Sequence, residues 1–254
     1  MLVFFLASCA SLSPEEELRL AENQIQEINQ QLDVLTDPRL QSYLDNLLQR
    51  LQAGTPGTAD FQIHVVRNEA FNAFAIAGGH IYLTTGVIMG SRNLAELISI
   101  LAHEMGHVEA RHIAQNYRRF RNSRTTAELS GIILALLTGN PLLAGAVDMA
   151  ANMGAALFIT SHTQEAEREA DQLAFGLMLA AGFDPRSQLT LLSRLQVASL
   201  AQQSETPFLR SHPLPAERVE SARERLRDIR AFAGLQVNDE GEFQALQQYL
   251  APLI

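Results

Sequence analysis

Five consecutive residues of this sequence have types and a spacing that could do chemistry: His103, Glu104, Met105, Gly106 and His107. On an α-helix, with 3.6 residues per turn, the two histidines project from one face about one turn apart. Both imidazoles can then reach one divalent ion, and the glutamate beside the ion can accept a proton from a water that the ion activates. The pentapeptide therefore predicts a zinc hydrolase that attacks a peptide carbonyl.

The residues around the pentapeptide have the pattern of one long amphipathic helix, over 93–119. Apolar residues recur upstream at three- and four-residue intervals, which favours a core-facing helix. Asn93 can cap the helix start, and Glu96 can complete a capping box. Because His112 lies about 140° round a continuous helix from His107, we expect it to be a packing or surface residue.

A catalytic zinc needs a third protein ligand in addition to the two histidines. The only cysteine of the chain is Cys9, so a cysteine-rich site is excluded and the further ligand must be a histidine or a carboxylate. Candidates lie on a helix predicted over 163–181, which carries Glu165, Glu167 and Glu169. Helical geometry read from the sequence alone does not choose among these three carboxylates.

A second group of reactive side chains follows further along the chain, in the segment SHPLPAER. His212 precedes a proline, which holds it extended and outside a helix. Together with Arg218, it can stabilise a developing oxyanion. The alternative is an ordinary surface turn, and the spacing of the residues favours neither interpretation. A helix is predicted to follow over 217–233.

The region before the pentapeptide predicts helices and a small sheet. Strands are predicted over 61–66, 74–76 and 80–84, forming an antiparallel sheet that leads into the metal-binding helix. The last strand, next to paired glycines, could be an open edge on which an extended peptide adds as a further strand. Gly78, Gly79 and His80 are therefore candidate substrate-binding residues, although His80, like His64, has the strand pattern of a residue that is not a metal ligand.

The remaining segments complete the predicted organisation. The apolar segment 129–159 is interrupted by polar residues and a proline, which favours two short buried helices over a membrane span. The C-terminal segment is predicted to be helical at 243–250. The regions are a signal segment with a lipobox (1–9), an N-terminal helical region (10–55), a metallopeptidase core (56–234) and a short C-terminal tail (235–254).

Charge and the N-terminal sequence limit the possible partners. A net charge of −9 without a basic run argues against nucleic acid. The first nine residues, MLVFFLASC, resemble a bacterial lipobox in which Cys9 receives lipid. The alternative is an ordinary apolar start, since no Lys or Arg precedes the apolar run. With Ala10 after the cysteine, the resemblance implies a lipid anchor in the outer membrane.

Four motifs carry a resemblance to a known family: FNAFAIAGGHIYLTTGVI, HEMGH, EREAD and SHPLPAER. In this order, over about 32–230, they resemble the bacterial branch of the CAAX prenyl protease family of zinc endopeptidases, and in particular its lipid-anchored members. The resemblance implies an α+β, mainly α-helical domain of the gluzincin type, with a small antiparallel sheet beside the zinc-binding helix.

The resemblance also implies roles for individual residues. One zinc ion would bind His103, His107 and Glu167, and Glu104 would be the general base. Asp171 would orient a ligand histidine.

The resemblance further implies that His212 contacts the zinc in a resting form and that Arg218 stabilises the oxyanion. Asn72 would lie near the substrate strand. In one departure from the family pattern, the pair Ser161-His162 stands six residues before Glu167, so Glu165 stays open as the ligand.

The sequence thus predicts a zinc-dependent endopeptidase on the periplasmic face of the outer membrane, or soluble in the periplasm. Its substrates would be unfolded or misassembled envelope polypeptides, as the family resemblance implies. The alternative is a metal-stabilised chaperone or assembly factor whose protease site is latent and blocked.

Overall fold

The computed structural model describes residues 13–55, 57, 59–115, 163–200, 207–214, 216–227, 235 and 239–254. Its α-helices are α1 (Pro14–Gln31), α2 (Pro38–Gln52), α3 (Thr85–Gly90), α4 (Leu94–Glu109), α5 (Gln164–Ala180), α6 (Arg186–Leu200), α7 (Pro207–Ser211), α8 (Ala216–Arg227) and α9 (Glu240–Leu250). Its strands are β1 (Val34–Leu35), β2 (Gln62–Val66), β3 (Ala73–Ala75) and β4 (His80–Thr84), with 3₁₀ turns at Ala77–Gly79 and Ala251–Leu253. The predicted α+β, mainly helical fold with a small sheet is confirmed, whereas Cys9 and the predicted helices of 129–159 lie outside the described residues.

The first two helices lie in the predicted N-terminal helical region, and each begins at a side-chain cap. The Ser13 side chain accepts a hydrogen bond from the Glu16 backbone N–H at 3.2 Å, and the Glu16 carboxylate accepts one from the Ser13 N–H at 2.8 Å, which closes a capping box. Asp37 caps α2 by accepting from the Leu40 N–H at 2.8 Å. The α2 leucines recur at helical spacing, and their buried face joins the main core: Leu40, Leu44, Leu47, Leu48 and Leu51.

The sheet is mixed, with strand order β1-β2-β4-β3. The β3–β4 pair is antiparallel, as predicted, and β1, a strand that the sequence did not predict, also pairs antiparallel with β2. The central β2–β4 pair, however, is parallel, with Gln62 opposite His80 and Val66 opposite Thr84. The cause is the long connection 67–79, which contains β3 and returns the chain to the starting end of β2. The parallel pairing depends on this crossover, so the order of the strands along the sequence could not predict it.

The edge of the sheet is not where the sequence predicted it. The prediction that the last strand, β4, is an open edge is wrong, because β4 lies between β2 and β3. Within the described sheet, the outer strand on this side is β3. Backbone bonds between Ile76 and His80 and between Asn72 and Thr84 face β4, so by alternation the Ala73 and Ala75 amides face outward.

Helix α4, which carries the HEMGH pentapeptide, is almost fully buried between the sheet and other helices. The Asn93 side chain caps it by accepting from the Glu96 N–H at 2.9 Å. The Glu96 carboxylate, however, accepts from the Arg92 N–H at 3.0 Å and from Arg194 at 2.8 Å, instead of closing a capping box on Asn93. The cap is confirmed, and its acidic partner instead ties the helix start to α6.

Helix α4 ends earlier than predicted. Its last residue is Glu109, Ala110 forms the C-cap, and Arg111 has a φ of 56°, in the left-handed region. Helical backbone resumes at His112. The continuous helix predicted over 93–119 is therefore broken at 110–111, and the direction of the following side chains changes.

The close approach of α4 and α5 depends on Gly106, inside the pentapeptide. A Cβ atom at Gly106 would lie 2.7 Å from the Ala170 carbonyl oxygen and 3.1 Å from the Ala170 Cα. Because contacts this short are repulsive, only glycine lets the two helix backbones pack at this distance. Because of this packing, Glu167 and Asp171 of α5 lie against the histidines of α4.

The C-terminal segment is part of the main core. Helix α9, which contains the predicted helical stretch 243–250, buries Phe243, Leu246 and Leu250 against the other helices. Its Glu240 carboxylate also accepts a bond from the Leu94 N–H, in the first turn of α4, at 3.0 Å. Within the described part of the chain, no helix combines the length and apolar character needed to cross a membrane.

Candidate metal centre

Four buried side chains from three parts of the fold converge on one point. His103 and His107 come from α4, Glu167 from the first turns of α5, and His212 from the segment between α7 and α8. Each offers a nitrogen or oxygen atom, and these four atoms lie within 4.8 Å of one another. Three imidazoles and one carboxylate are a donor set that suits a tetrahedral transition metal.

Distances between the donor atoms show how closely they approach. His107 Nε2 lies 3.1 Å from His103 Nε2 and 3.2 Å from Glu167 Oε1. His212 Nδ1 lies 3.3 Å from His103 Nε2 and 3.1 Å from Glu167 Oε1. Four donors in mutual contact, each at most 4% exposed, fit a single ion at their centre.

Only one of the three candidate carboxylates of α5 belongs to this group. Glu167 is fully buried, whereas the Glu165 side chain is 77% exposed and pairs with Arg168 on the same helix. Glu169 is 57% exposed and contacts His112. The structure therefore brings Glu167, and not Glu165, to the two histidines.

Glu104 lies beside the four donors and is 1% exposed. Its Oε1 lies 3.4 Å from His212 Nε2, and its carboxylate accepts a hydrogen bond from the Ala75 backbone N–H on the edge strand β3. Burial raises the pKa of Glu104, against the lowering effect of His212 and His103. A carboxylate with a raised pKa is closer to the range in which a general base works at neutral pH.

Asp171 lies one helical turn after Glu167, and its Oδ1 is 3.1 Å from His103 Nδ1. A carboxylate at this distance suits the predicted role of orienting the His103 ring, and that role stays a prediction. Burial would raise the pKa of Asp171, but the Arg218 guanidinium and the contact with His103 lower it to about 2. Asp171 is therefore ionised when it holds the ring.

Arg218, at the start of α8, is 2% exposed and binds both carboxylates. Its Nε and one terminal nitrogen donate to Asp171 at 2.8 and 2.9 Å, and its other terminal nitrogen lies 2.6 Å from Glu167 Oε2. Burial would raise the pKa of Glu167, but Arg218 and the surrounding histidines hold it well below its usual value. These contacts hold Arg218 against the two carboxylates, and its predicted role as oxyanion stabiliser stays a prediction.

The predicted substrate-binding residues lie on or beside the sheet. Asn72 is 1% exposed and bonds through its backbone to Thr84, directly before β3. Gly78 and Gly79 form the 3₁₀ turn, and a Cβ at Gly79 would lie 2.3 Å from the Asp60 carbonyl oxygen, so this glycine is required for packing. His80 Nδ1 lies 2.9 Å from His64 Nε2 on the neighbouring strand. The substrate role of these residues stays a prediction.

His112 is a buried packing residue, but it contacts His107, which the predicted continuous helix would not allow. This residue is 4% exposed, and its Nδ1 lies 3.0 Å from His107 Nδ1. The left-handed residue Arg111 changes the chain direction and brings His112 back over His107. Since L-residues rarely adopt this conformation and no glycine stands at the break, the local sequence gave no signal for it.

The fold and this site define the chain as a metallopeptidase domain: a helix-borne HEMGH pentapeptide, a distant glutamate ligand candidate and an adjacent carboxylate. The chain belongs to peptidase family M48, whose family model matches residues 34–226. The family resemblance of the four sequence motifs is therefore confirmed.

Several bacterial proteases are similar to this chain. The putative beta-barrel assembly-enhancing protease of Vibrio cholerae serotype O1 is 30% identical over 221 residues, 86% of this chain and 46% of that protein. The beta-barrel assembly-enhancing protease of Escherichia coli (strain K12) is 28% identical over 225 residues, 87% of this chain and 46% of that protein. Metalloprotease LoiP of the same strain is 28% identical over 158 residues, 61% of this chain and 58% of that protein. This chain spans about half the length of these relatives.

Proposed function

We propose that this protein is a zinc-dependent endopeptidase. The observation that carries the proposal is the convergence of His103, His107 and Glu167 with Glu104 beside them, all buried. Zinc is the proposed metal because histidine nitrogens with one carboxylate oxygen are the usual ligands of catalytic zinc. When bound, zinc supplies a Lewis acid that polarises the scissile carbonyl and lowers the pKa of water.

The residues of this chain then transfer the proton and keep the metal ligands oriented. Glu104 takes a proton from the attacking water and later gives it to the leaving amine. Asp171 holds His103, and Arg218 holds both Asp171 and Glu167, so the ligands keep their orientation during the reaction.

The substrate is proposed to bind as an extended strand along β3. Support comes from the outward-facing amide of Ala75, which already donates to Glu104, so that the outer edge of the sheet, as far as the structure describes it, lies beside the proposed general base. A peptide that adds to this edge by backbone hydrogen bonds would bring its scissile carbonyl toward the metal without requiring a particular side chain.

The cellular setting is proposed from the relatives and from the N-terminal sequence. Two relatives are named beta-barrel assembly-enhancing proteases, which favours misassembled or unfolded envelope polypeptides as substrates. A lipid on Cys9 would anchor the protein to the outer membrane on the periplasmic side; without it, the protein would be soluble in the periplasm.

A second candidate function is a metal-stabilised assembly factor with a latent protease site. One observation favours it: His212 reaches the same point as the three proposed ligands and would fill the fourth position. Its ring stacks on Phe208 at 4.6 Å, and its backbone N–H donates to the Phe208 carbonyl at 2.8 Å, so it is held in place. A site closed in this way would cut only after His212 moves.

The test compares wild type with Glu104→Gln on an unfolded β-barrel protein as substrate. We expect the variant to bind one zinc ion as the wild type does and to cleave at least about 100-fold more slowly, because the proton acceptor is lost. Full activity of the variant would contradict the mechanism. Zinc binding by a wild type that cuts only after His212→Ala would support the latent form.

A further inference from the structure

His112, on the first turn after the break in α4, connects a proposed metal ligand to a carboxylate. Its Nδ1 lies 3.0 Å from His107 Nδ1, and the two rings meet edge to face with centroids 5.1 Å apart. Its Nε2 lies 3.1 Å from Glu169 Oε2 on α5. Glu169, His112 and His107 thus form a continuous chain of polar contacts that ends at the metal centre.

We propose that His112 is a positioning residue for His107, and that Glu169 selects the tautomer in which His112 does this. The inference rests on the proposed function, since it assigns the opposite nitrogen of His107 to the metal. His112 does not touch the reacting atoms; it acts through the ligand.

The proton positions follow from the contacts. His107 Nε2 faces the other proposed ligands, so in a metal-binding imidazole the lone pair lies there and the hydrogen lies on Nδ1. Two ring nitrogens 3.0 Å apart form a hydrogen bond only when one donates and the other accepts. His112 Nδ1 must therefore accept, which leaves its hydrogen on Nε2, pointing at Glu169. An ionised carboxylate can only accept a hydrogen bond. Glu169 therefore accepts from His112 Nε2, and His112 Nδ1 accepts from His107 Nδ1.

The backbone makes this contact possible at a cost. In an uninterrupted helix, His112 would lie about 140° from His107 and could not reach it. The left-handed conformation of Arg111, with φ at 56°, removes this offset. A non-glycine residue in this region costs about 1–2 kcal/mol, and such strain concentrates at functional sites. The Arg111 side chain also pairs with Glu17 of α1 at 2.7 Å, which helps to hold the break.

The two proposed ligand histidines therefore have different outer partners. His103 Nδ1 lies 3.1 Å from the carboxylate of Asp171, and a carboxylate is a usual outer partner of a metal-binding histidine. His107 donates to an imidazole, which can accept only in one of its two tautomers. The orientation of His107 consequently depends on the contact between His112 and Glu169 in a way that the orientation of His103 does not.

The test measures zinc affinity of the full chain by competition with a chelator at one pH. His112→Leu removes the acceptor, and we expect the zinc dissociation constant to rise about 10- to 100-fold, the usual effect of losing such a partner. His112→Asn places an amide oxygen close to the former Nδ1 position, so we expect it to recover most of the affinity. The matched control is Glu165→Ala, an exposed carboxylate one turn before Glu169, which should leave the affinity unchanged.

A second measurement covers the case in which His112→Leu does not fold. Nitrogen-15 NMR of the zinc-bound wild type should show a hydrogen on Nδ1 of His107, no hydrogen on Nδ1 of His112 and one on its Nε2. The opposite tautomer of His112, or an unchanged zinc affinity in folded His112→Leu, would overturn the inference while leaving the zinc site intact. A wild type that binds no zinc would instead overturn the proposed function.

Discussion

Arg218 is the cation that keeps two buried carboxylates charged beside the metal centre. Both side chains that it binds, Glu167 and Asp171, are at most 1% exposed, so bulk solvent does not compensate their charges. A buried carboxylate without a partner is strongly unfavourable, so the metal-free fold depends on this arginine.

We predict that Arg218→Ala lowers the free energy of unfolding of the metal-free protein by about 3–5 kcal/mol, as expected when one member of a buried ion pair is removed. Urea unfolding measures it. Arg223→Ala is the control, since Arg223 lies on the same helix in an exposed pair with Glu220 and should change stability by less than about 1 kcal/mol. Equal effects of the two substitutions would show that Arg218 does not carry this role.

At the residue scale, the sequence revealed the parts of the site that depend on local geometry. The positions of His103, Glu104 and His107 follow from the helical period alone. The choice of Glu167 over Glu165 depends on how α5 packs against α4, which no local pattern contains. The contact between His112 and His107 escaped prediction for a related reason: the left-handed Arg111, at a break without glycine, interrupts the helical period.

At the level of helices and strands, the site depends on the close packing of α4 against α5. Gly106 is the contact point, where an added Cβ would meet backbone atoms of Ala170 that cannot move aside as a side chain could. The helix that carries two proposed ligands and the helix that carries the third therefore approach each other at a residue inside the pentapeptide itself.

We predict that Gly106→Ala destabilises the protein by about 1–3 kcal/mol, the usual range for overpacking a tight contact, and weakens zinc binding because the helices move apart. Thermal unfolding and chelator competition measure the two effects. The control is Gly176→Ala on α5, where an added Cβ meets nothing within 4 Å. That change should stabilise the protein by up to about 1 kcal/mol, since alanine favours helix over glycine. If both substitutions stabilise, the packing argument fails.

Elements with a strong periodic pattern were predicted well, and their arrangement was not. Helices α1 and α2 lie in the predicted helical region 10–55, and strand β4 and the cap of α4 lie at the predicted residues. The parallel β2–β4 pair and the edge position of β3 depend on the crossover 67–79, and alternation of polar and apolar residues is the same in either arrangement.

The whole domain extends beyond the residues matched by the family model. That match ends at residue 226, yet α9 buries Phe243 in the main core and bonds through Glu240 to the start of α4. The Gln247 side chain also donates to the carbonyls of Ile88, in α3, and of Ser91, in the connection between α3 and α4. What the sequence predicted as a short tail therefore supports the helix that carries the pentapeptide.

We predict that Phe243→Ala lowers the free energy of unfolding by about 3–5 kcal/mol, because it leaves a cavity in a fully buried position. Gln248→Ala, on the exposed face of the same helix, should change it by less than about 0.5 kcal/mol. Denaturant unfolding compares the two. A Phe243 substitution as mild as that of Gln248 would mean that α9 does not belong to the cooperative core.

The most direct test of the account is the metal content of the purified protein after dialysis, measured for wild type, Glu167→Gln and Glu165→Gln. We expect one zinc ion per chain in wild type and in Glu165→Gln, and a large loss in Glu167→Gln, because only Glu167 reaches the two histidines of α4. A wild type without a transition metal, or a loss in Glu165→Gln with zinc retained in Glu167→Gln, would contradict it.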